Sequence, residues 1–180
     1  MDTRPDGNDV LINTAAFVAA WLALLHYASQ GQEEFGLAAG IAVVIFHIWR
    51  SPMGLAEAKL IALVTAVGTG AEALIMYLGL ASYSGVSLNA SLPPWWVMAQ
   101  WAVFATLLNV ALRPIRSWIL LSLGLGFVFL PIAKLLVMKF GVVDLTLPVH
   151  RSIALIGLCW SVVLTAVFAL ARIFDGWEEQ

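Results

Sequence analysis

A chain of 180 residues that is 62% hydrophobic and only 11% charged cannot face water over its whole surface, because soluble domains carry about 25% charged residues. Its net charge of −2, with no basic patch, leaves no electrostatic footprint for nucleic acid. The single cysteine, Cys159, excludes an internal disulfide and a cysteine cluster; set between Leu158 and Trp160, it reads as a small packing residue.

A membrane-spanning helix needs about 20 predominantly apolar residues, and six segments come close. The first, residues 10–29, follows the acidic stretch "MDTRPDGND" and has no small-x-small cleavage site, so it reads as a retained helix and not a secretory signal. The second, 35–50, is short. The third, 58–82, is long enough to tilt. The fourth, fifth and sixth run over 94–112, 117–138 and 149–173. The expected fold is therefore all-α: one transmembrane domain over residues 1–180, built as a six-helix bundle. No repeat of 20–50 residues and no inverted three-plus-three repeat is visible.

Charge sets the expected orientation. With a cytoplasmic N-terminus, the inner side holds Arg4, Arg50, Lys59, Arg113, Arg116 and Arg172, against Lys139 and Arg151 outside. Six against two obeys the positive-inside rule and places both termini in the cytoplasm. The outer turns agree, "QGQEEFG" being acidic and "SYSGVSLNASLPP" uncharged. Trp49, Trp118 and Trp177 are expected at the inner interface, and Trp95 and Trp96 at the outer one.

Polar side chains at membrane depth are costly and need a partner or a purpose. Counted from Ala58, Glu72 lies about 20 Å into the third helix, near or a little beyond the midplane. Thr65 and Thr69 share its face, and Gly68 and Gly70 would let another backbone approach. On the same rise from Ser117, Lys134 lies about 25 Å from the inner face, some 5 Å above Glu72. Two readings stand for Lys134. It snorkels to the outer interface beside Lys139, which is the plainer one, or it pairs with Glu72 in the bundle. Pro131 should kink or loosen the helix just before it. Gly124 and Gly126 read as packing glycines. Glu72→Gln is expected to keep the fold but alter activity; unfolding or loss from the membrane would point to a structural role instead.

A second polar group lies towards the inner side: Asn13, His47, Thr106 and Asn109, with Arg50, Glu57, Lys59, Arg113 and Arg116 just beyond. Interhelical hydrogen bonding plus positive-inside anchoring is the plainer account. The alternative is an inner-leaflet pocket for a phosphate-bearing headgroup, which paired arginines suit. His26 and His150 read as interfacial, so no metal or other cofactor is expected. No nucleophile elbow, zinc-protease helix or phosphate loop is present, so no catalytic motif argues for an enzyme.

Three stretches carry a resemblance: "PPWWVMAQWAVFATLLN" (93–109), "HIWRSPMGLAEAKLIALVTAVGTGAEALIMYLG" (47–79) and "LPIAKLLVMKFGVV" (130–143). Together they resemble an uncharacterised bacterial membrane family, domain-of-unknown-function family 2878. In that family the mid-membrane acid is typically aspartate where this chain has Glu72, and an aromatic stands where it has Lys134. Pairing of the two would thus be peculiar to this chain. The resemblance implies a multi-pass protein of the bacterial inner membrane and brings no established activity. Genes of the family often neighbour lipid-modifying enzymes such as cyclopropane-fatty-acid synthases. The expectation is a lipid-related accessory or lipid-binding protein, with membrane lipid and another membrane protein as partners and no nucleic acid. The alternatives are a small proton-coupled transporter using Glu72, or a structural subunit of a larger membrane complex.

Overall fold

The computed structural model describes residues 4–177. Helix α1 spans Gly7–Ser29, α2 Glu33–Arg50 and α3 Gly54–Tyr77. Strand β1 (Ala81–Tyr83) precedes α4 (Trp95–Ala105). Then α5 (Ile119–Gly124), a π-helical turn (Leu125–Phe129) and α6 (Leu130–Met138) run on as one rod, Ile119–Met138. Strand β2 (Val143–Leu145) and α7 (Val149–Ile173) complete the described chain. Four helices are long and apolar enough to cross a membrane: α1, α3, the Ile119–Met138 rod and α7.

Local chemistry explains where the ends fall. α1 starts three residues before the expected Val10 because Asp6 and Asp9 cap it reciprocally. Asp6 Oδ1 accepts from the Asp9 amide at 2.8 Å, and Asp9 Oδ2 accepts from the Asp6 amide at 3.0 Å. α3 stops at Tyr77, short of the expected 82, because Gly79 adopts φ 63. That left-handed residue lets Leu80 N–H bond Ile75 C=O at 3.0 Å and Gly79 N–H bond Met76 C=O at 2.9 Å, a Schellman closure.

The freed chain then forms, among the described residues, the one departure from an all-helical pattern. β1 and β2 pair antiparallel, with Ala81 opposite Leu145, Ser82 opposite Asp144 and Tyr83 opposite Val143. Three residues a side are too few for a readable period-two signal, so the ribbon is invisible in a hydropathy reading. It ties the α3–α4 turn to the α6–α7 turn. Glu33, at the start of α2, joins the same end of the bundle by accepting from Val86 N–H at 2.9 Å.

α4 is also shorter than the expected 94–112. Beyond Ala105 the backbone tightens to i→i−3 bonds: Thr106 to Val103, Leu107 to Phe104, Leu108 to Ala105. The Thr106 hydroxyl contributes by bonding Val103 C=O at 2.7 Å. Turns then continue to Pro114 and beyond.

In the rod, Pro131 has the effect expected of it. Proline supplies no N–H, and its ring displaces the carbonyl four residues back. The ladder widens to an i→i−5 bond, Leu130 N–H to Leu125 C=O, which is the π turn. This turn presses against α7 over small residues. A Cβ on Gly126 would lie 2.5 Å from Ser161 Cα, and one on Gly157 would lie 2.7 Å from Phe127 O. Ser161 Oγ bonds Leu123 C=O at 3.0 Å across the same crossing. Small residues there admit close backbone contact, as membrane helix pairs require. Gly68 does similar work on α3, where the Trp101 indole fills the space its side chain would take. Gly124 and Gly70 do not, since nothing lies within 4 Å of a Cβ at either.

α3 sits at the centre, packed against α4 and α7, while α1, α2 and α4 pack among themselves. The buried core runs through Leu24, Leu60, Val64, Val103, Ile156 and Phe168. Leu120, Ile45, Val162 and Leu11 point outward and exposed, as lipid-facing side chains would. Trp49 and Trp118 are exposed as expected of interface anchors, but Trp96 and Trp177 are not. Trp96 is buried and donates its indole N–H to Ser84 C=O at 2.9 Å; Trp177 is buried beside His47.

Gly126→Ala and Gly157→Ala should each lower stability in mild detergent by about 1–3 kcal/mol, the usual cost of overpacking. Gly124→Ala, facing open space, should change it little. Thermal unfolding of the three variants would separate these cases.

Candidate functional site

Two clusters of ionisable side chains lie inside the bundle, one towards each end, and α3 contributes an acid to both.

The first centres on Glu72, 3% exposed, and Lys134 of α6, 5% exposed. The Lys134 ammonium donates to Glu72 Oε2 at 3.2 Å and also to the Tyr83 hydroxyl, which itself donates to Glu72 Oε2. Lys134 Nζ lies 4.3 Å from the Tyr83 ring centroid and 4.9 Å from that of Trp160. An opposite charge and two aromatic faces thus replace the water the ammonium gives up. The snorkelling expected of Lys134 does not occur. α3 and α6 have little direct packing, and the long lysine stem bridges them over α7, against which both rest. Tyr83 arrives from outside the helices, on β1. Burial, and then the Glu72 carboxylate, push its phenol well above its ordinary value, so Tyr83 stays protonated and acts as a donor. Thr69 lies buried on the same helix, its hydroxyl bonding none of the described residues; Thr65 bonds back to Ile61 C=O at 2.7 Å.

The second cluster joins most of the inner polar residues. Asn13 Nδ2 donates to Thr106 C=O at 3.1 Å and contacts His47 Nδ1 at 3.3 Å. The carbonyl can only accept, so the amide nitrogen must face that way. His47 Nδ1 is then the acceptor, which leaves the ring proton on Nε2. Nε2 meets Glu57 Oε2 at 2.9 Å. Glu57 is fully buried, and its other oxygen accepts from Asn109 Nδ2 at 2.7 Å and from Gly176 N–H at 3.0 Å. Asn109 Oδ1 accepts from Arg116. Arg116 Nη2 meets Asp175 Oδ2 at 2.6 Å, and Arg113 meets the same carboxylate at 3.0 and 3.1 Å. Among the described residues, Glu57 and Asp175 are the acids that face Arg113 and Arg116 here.

Of the residues singled out from the sequence, Glu72 and Lys134 meet each other. Asn13, His47, Asn109, Arg113 and Arg116 meet in the second network. Arg50 stands apart from it, paired with Asp9. The inner group is therefore closed and internally bonded, as its plainer account has it, with the arginine pair already holding an acid. Sequence reasoning missed Tyr83, Asp175 and Asp9. For Asp175 a signal existed: two arginines three positions apart on one side of the bundle need an acid, and "FDGW" supplies one there. Tyr83 had none, because only the β ribbon carries it inward. His26 and His150 are exposed, and among the described residues no three His, Cys, Asp or Glu side chains group as metal ligands do.

The family described as "Protein of unknown function (DUF2878)" matches residues 10–166, and the chain belongs to it. Both clusters lie within the match except for Asp175 and Gly176. No curated protein and no solved structure matches the chain.

Removing one partner of a buried ion pair strands the other charge, at a usual cost of about 3–5 kcal/mol, whereas replacing both by apolar groups is often neutral. Glu72→Gln alone should therefore lower the unfolding temperature strongly. The double variant Glu72→Met/Lys134→Met, apolar at both positions, should recover most of the loss in the same measurement. Equal losses in both would show that the pair is not what couples α3 to α6.

Proposed function

We propose that this member of the DUF2878 family crosses a bacterial inner membrane six times, with both ends in the cytoplasm, and serves lipid chemistry as a lipid-binding or accessory protein. The arrangement of turns supports six passes. The three turns tied by Glu33 and the β ribbon gather at one end, while Asp9, Arg50, Glu57, Arg116 and Gly176 gather at the other. At 18 residues α2 reaches about 27 Å, close to the hydrocarbon thickness. α4 has only 11 residues and relies on the tight turns after Ala105 to extend its pass. The arginines mark the second end as cytoplasmic by the positive-inside rule.

The observation that carries the lipid reading is a groove at that arginine-rich end. It is open to the outside, has a volume of about 580 Å³ and is lined by Met53, Gly54, Leu55, Ala56, Lys59, Ile173 and Phe174. Leu55 is 71% exposed and Ile173 62%, an apolar rim beside the ammonium of exposed Lys59. Unlike Arg50, Arg113 and Arg116, Lys59 is held in no ion pair among the described residues. Apolar walls and one uncommitted cation at the leaflet boundary fit an acyl chain with an anionic headgroup. This moves the expected headgroup contact from Arg113 and Arg116 to Lys59.

A second reading, a proton-coupled carrier, is favoured by the buried Glu72–Tyr83–Lys134 cluster, since ionisable groups at membrane depth commonly mark ion paths. It predicts proton flux in liposomes that the double variant Glu72→Met/Lys134→Met abolishes while remaining folded.

Native mass spectrometry in mild detergent tests the first reading. The wild type should retain a phospholipid, and Lys59→Gln should retain several-fold less. No retained lipid, or undiminished retention in Lys59→Gln, overturns it, and a stoichiometric protein partner in its place would favour a structural subunit. A reporter active only in the cytoplasm, fused ahead of Arg4 or inserted at Leu88, should be active in the first position and silent in the second.

A further inference from the structure

Several hydroxyls on the long helices bond back to their own backbone. Thr65 donates to Ile61 C=O at 2.7 Å, Ser161 to Gly157 C=O at 2.8 Å and Thr165 to Ser161 C=O at 2.9 Å, each four residues back. Thr69 does not. It is 7% exposed, yet its hydroxyl meets no partner among the described residues. Trp160 of α7 shares this condition. It is 6% exposed, and its indole N–H donates to none of the described residues. Trp96, also buried, differs in giving its N–H to Ser84 C=O at 2.9 Å.

These two groups flank the Glu72–Lys134 pair. Thr69 stands three residues before Glu72, and residues at that spacing are neighbours on a helix surface. The Trp160 ring centroid lies 4.9 Å from Lys134 Nζ, which itself lies 3.2 Å from Glu72 Oε2. The carboxylate adds a third open position. Tyr83 and Lys134 both donate to Oε2, and Oε1 accepts from none of the described residues. α3 and α7 are both long and apolar enough to cross a membrane, and within hydrocarbon their middles have no bulk water to turn to. Buried polar groups are bonded in folded chains as a rule, to ordered water where protein does not serve.

The chemistry of the three groups selects the ligand. An indole N–H only donates, a carboxylate oxygen only accepts, and a hydroxyl does both. A metal cation would face the Lys134 ammonium and the indole N–H, while an anion would face the Glu72 carboxylate. A small neutral molecule that donates and accepts answers all three. Water is that molecule, and internal waters typically make about three such bonds.

We propose that Glu72 Oε1, the Thr69 hydroxyl and the Trp160 indole N–H form an internal hydration site, whose bound water accepts from Trp160, donates to Glu72 and bonds Thr69. The site stands on these residues alone. Its consequence is that Glu72 keeps a partner through which a proton can come and go inside the bundle, and that consequence rests on the carrier reading above.

X-ray radiolytic labelling of the full chain in phospholipid nanodiscs, run in isotopically labelled water and read by peptide mass spectrometry, tests the site. Hydroxyl radicals formed from a bound water oxidise the side chain that holds it. In the wild type, Trp160 should take up the isotope several-fold faster than Trp96, whose N–H is held by the protein. Thr69→Val, of nearly the same shape without the hydroxyl, should slow Trp160 uptake several-fold, and Thr69→Ser should restore it. Uptake at Trp160 no faster than at Trp96, or equal in Thr69→Val and wild type, overturns the site. Proton flux of the wild type in liposomes is read separately. A labelled Trp160 without flux upholds the site and removes the carrier, whereas flux with an unlabelled Trp160 keeps the carrier and removes the site.

Discussion

Hydrocarbon offers no hydrogen bonds, so every charge taken into this bundle must be answered by another group of the same chain. That constraint explains the most about the structure. Both buried clusters set acid against base: Glu72 with Lys134 at one end, Glu57 and Asp175 with Arg113 and Arg116 at the other. This pairing decides which elements meet. The Lys134 stem of α6 reaches across to Glu72 of α3, and the ribbon strand β1 is held where Tyr83 can serve both. The last described residues turn inward because two arginines need Asp175.

α3 links the two ends. Glu57 and Glu72 stand fifteen residues apart on one helix, about 22 Å along the axis and about 60° apart around it. Between them the helix offers Leu60, Ile61 and Val64 to the core, with Trp101 seated at Gly68. The two acids are therefore separated by a dry, packed layer. A movement that breaks one cluster has to pass through that layer to reach the other. The crossing of the π turn with α7 is the other rigid element, and Gly126, Gly157 and Ser161 hold it without any ion pair.

This arrangement also bears on the cations at the arginine-rich end. Three kinds of cation stand there. Arg113 and Arg116 are committed to Asp175 and Arg50 to Asp9, while Lys59 faces an apolar groove uncommitted. Charge counting treats these four alike. The structure separates them by what each has been given to hold, and of these four Lys59 alone is held in no ion pair among the described residues.

The sequence by itself settled the membrane class, the number of helical segments and most of their limits, because hydropathy is a sum over neighbours and needs no tertiary contact. It also marked Glu72 as out of place and grouped Asn13, His47, Asn109, Arg113 and Arg116 at one end, since depth follows from counting residues along a helix. It could not decide whether Lys134 snorkels or pairs. That depends on whether an acid and two aromatic rings stand within reach, and the ring nearest to it comes from a strand of three residues formed far along the chain from α6. Nor could it separate the inner arginines from Lys59, or show that Trp96 and Trp177 are buried and not at an interface. Those outcomes were fixed only when distant segments met, because a buried charge is stabilised by particular atoms at about 3 Å, and which atoms arrive there is a property of the packing.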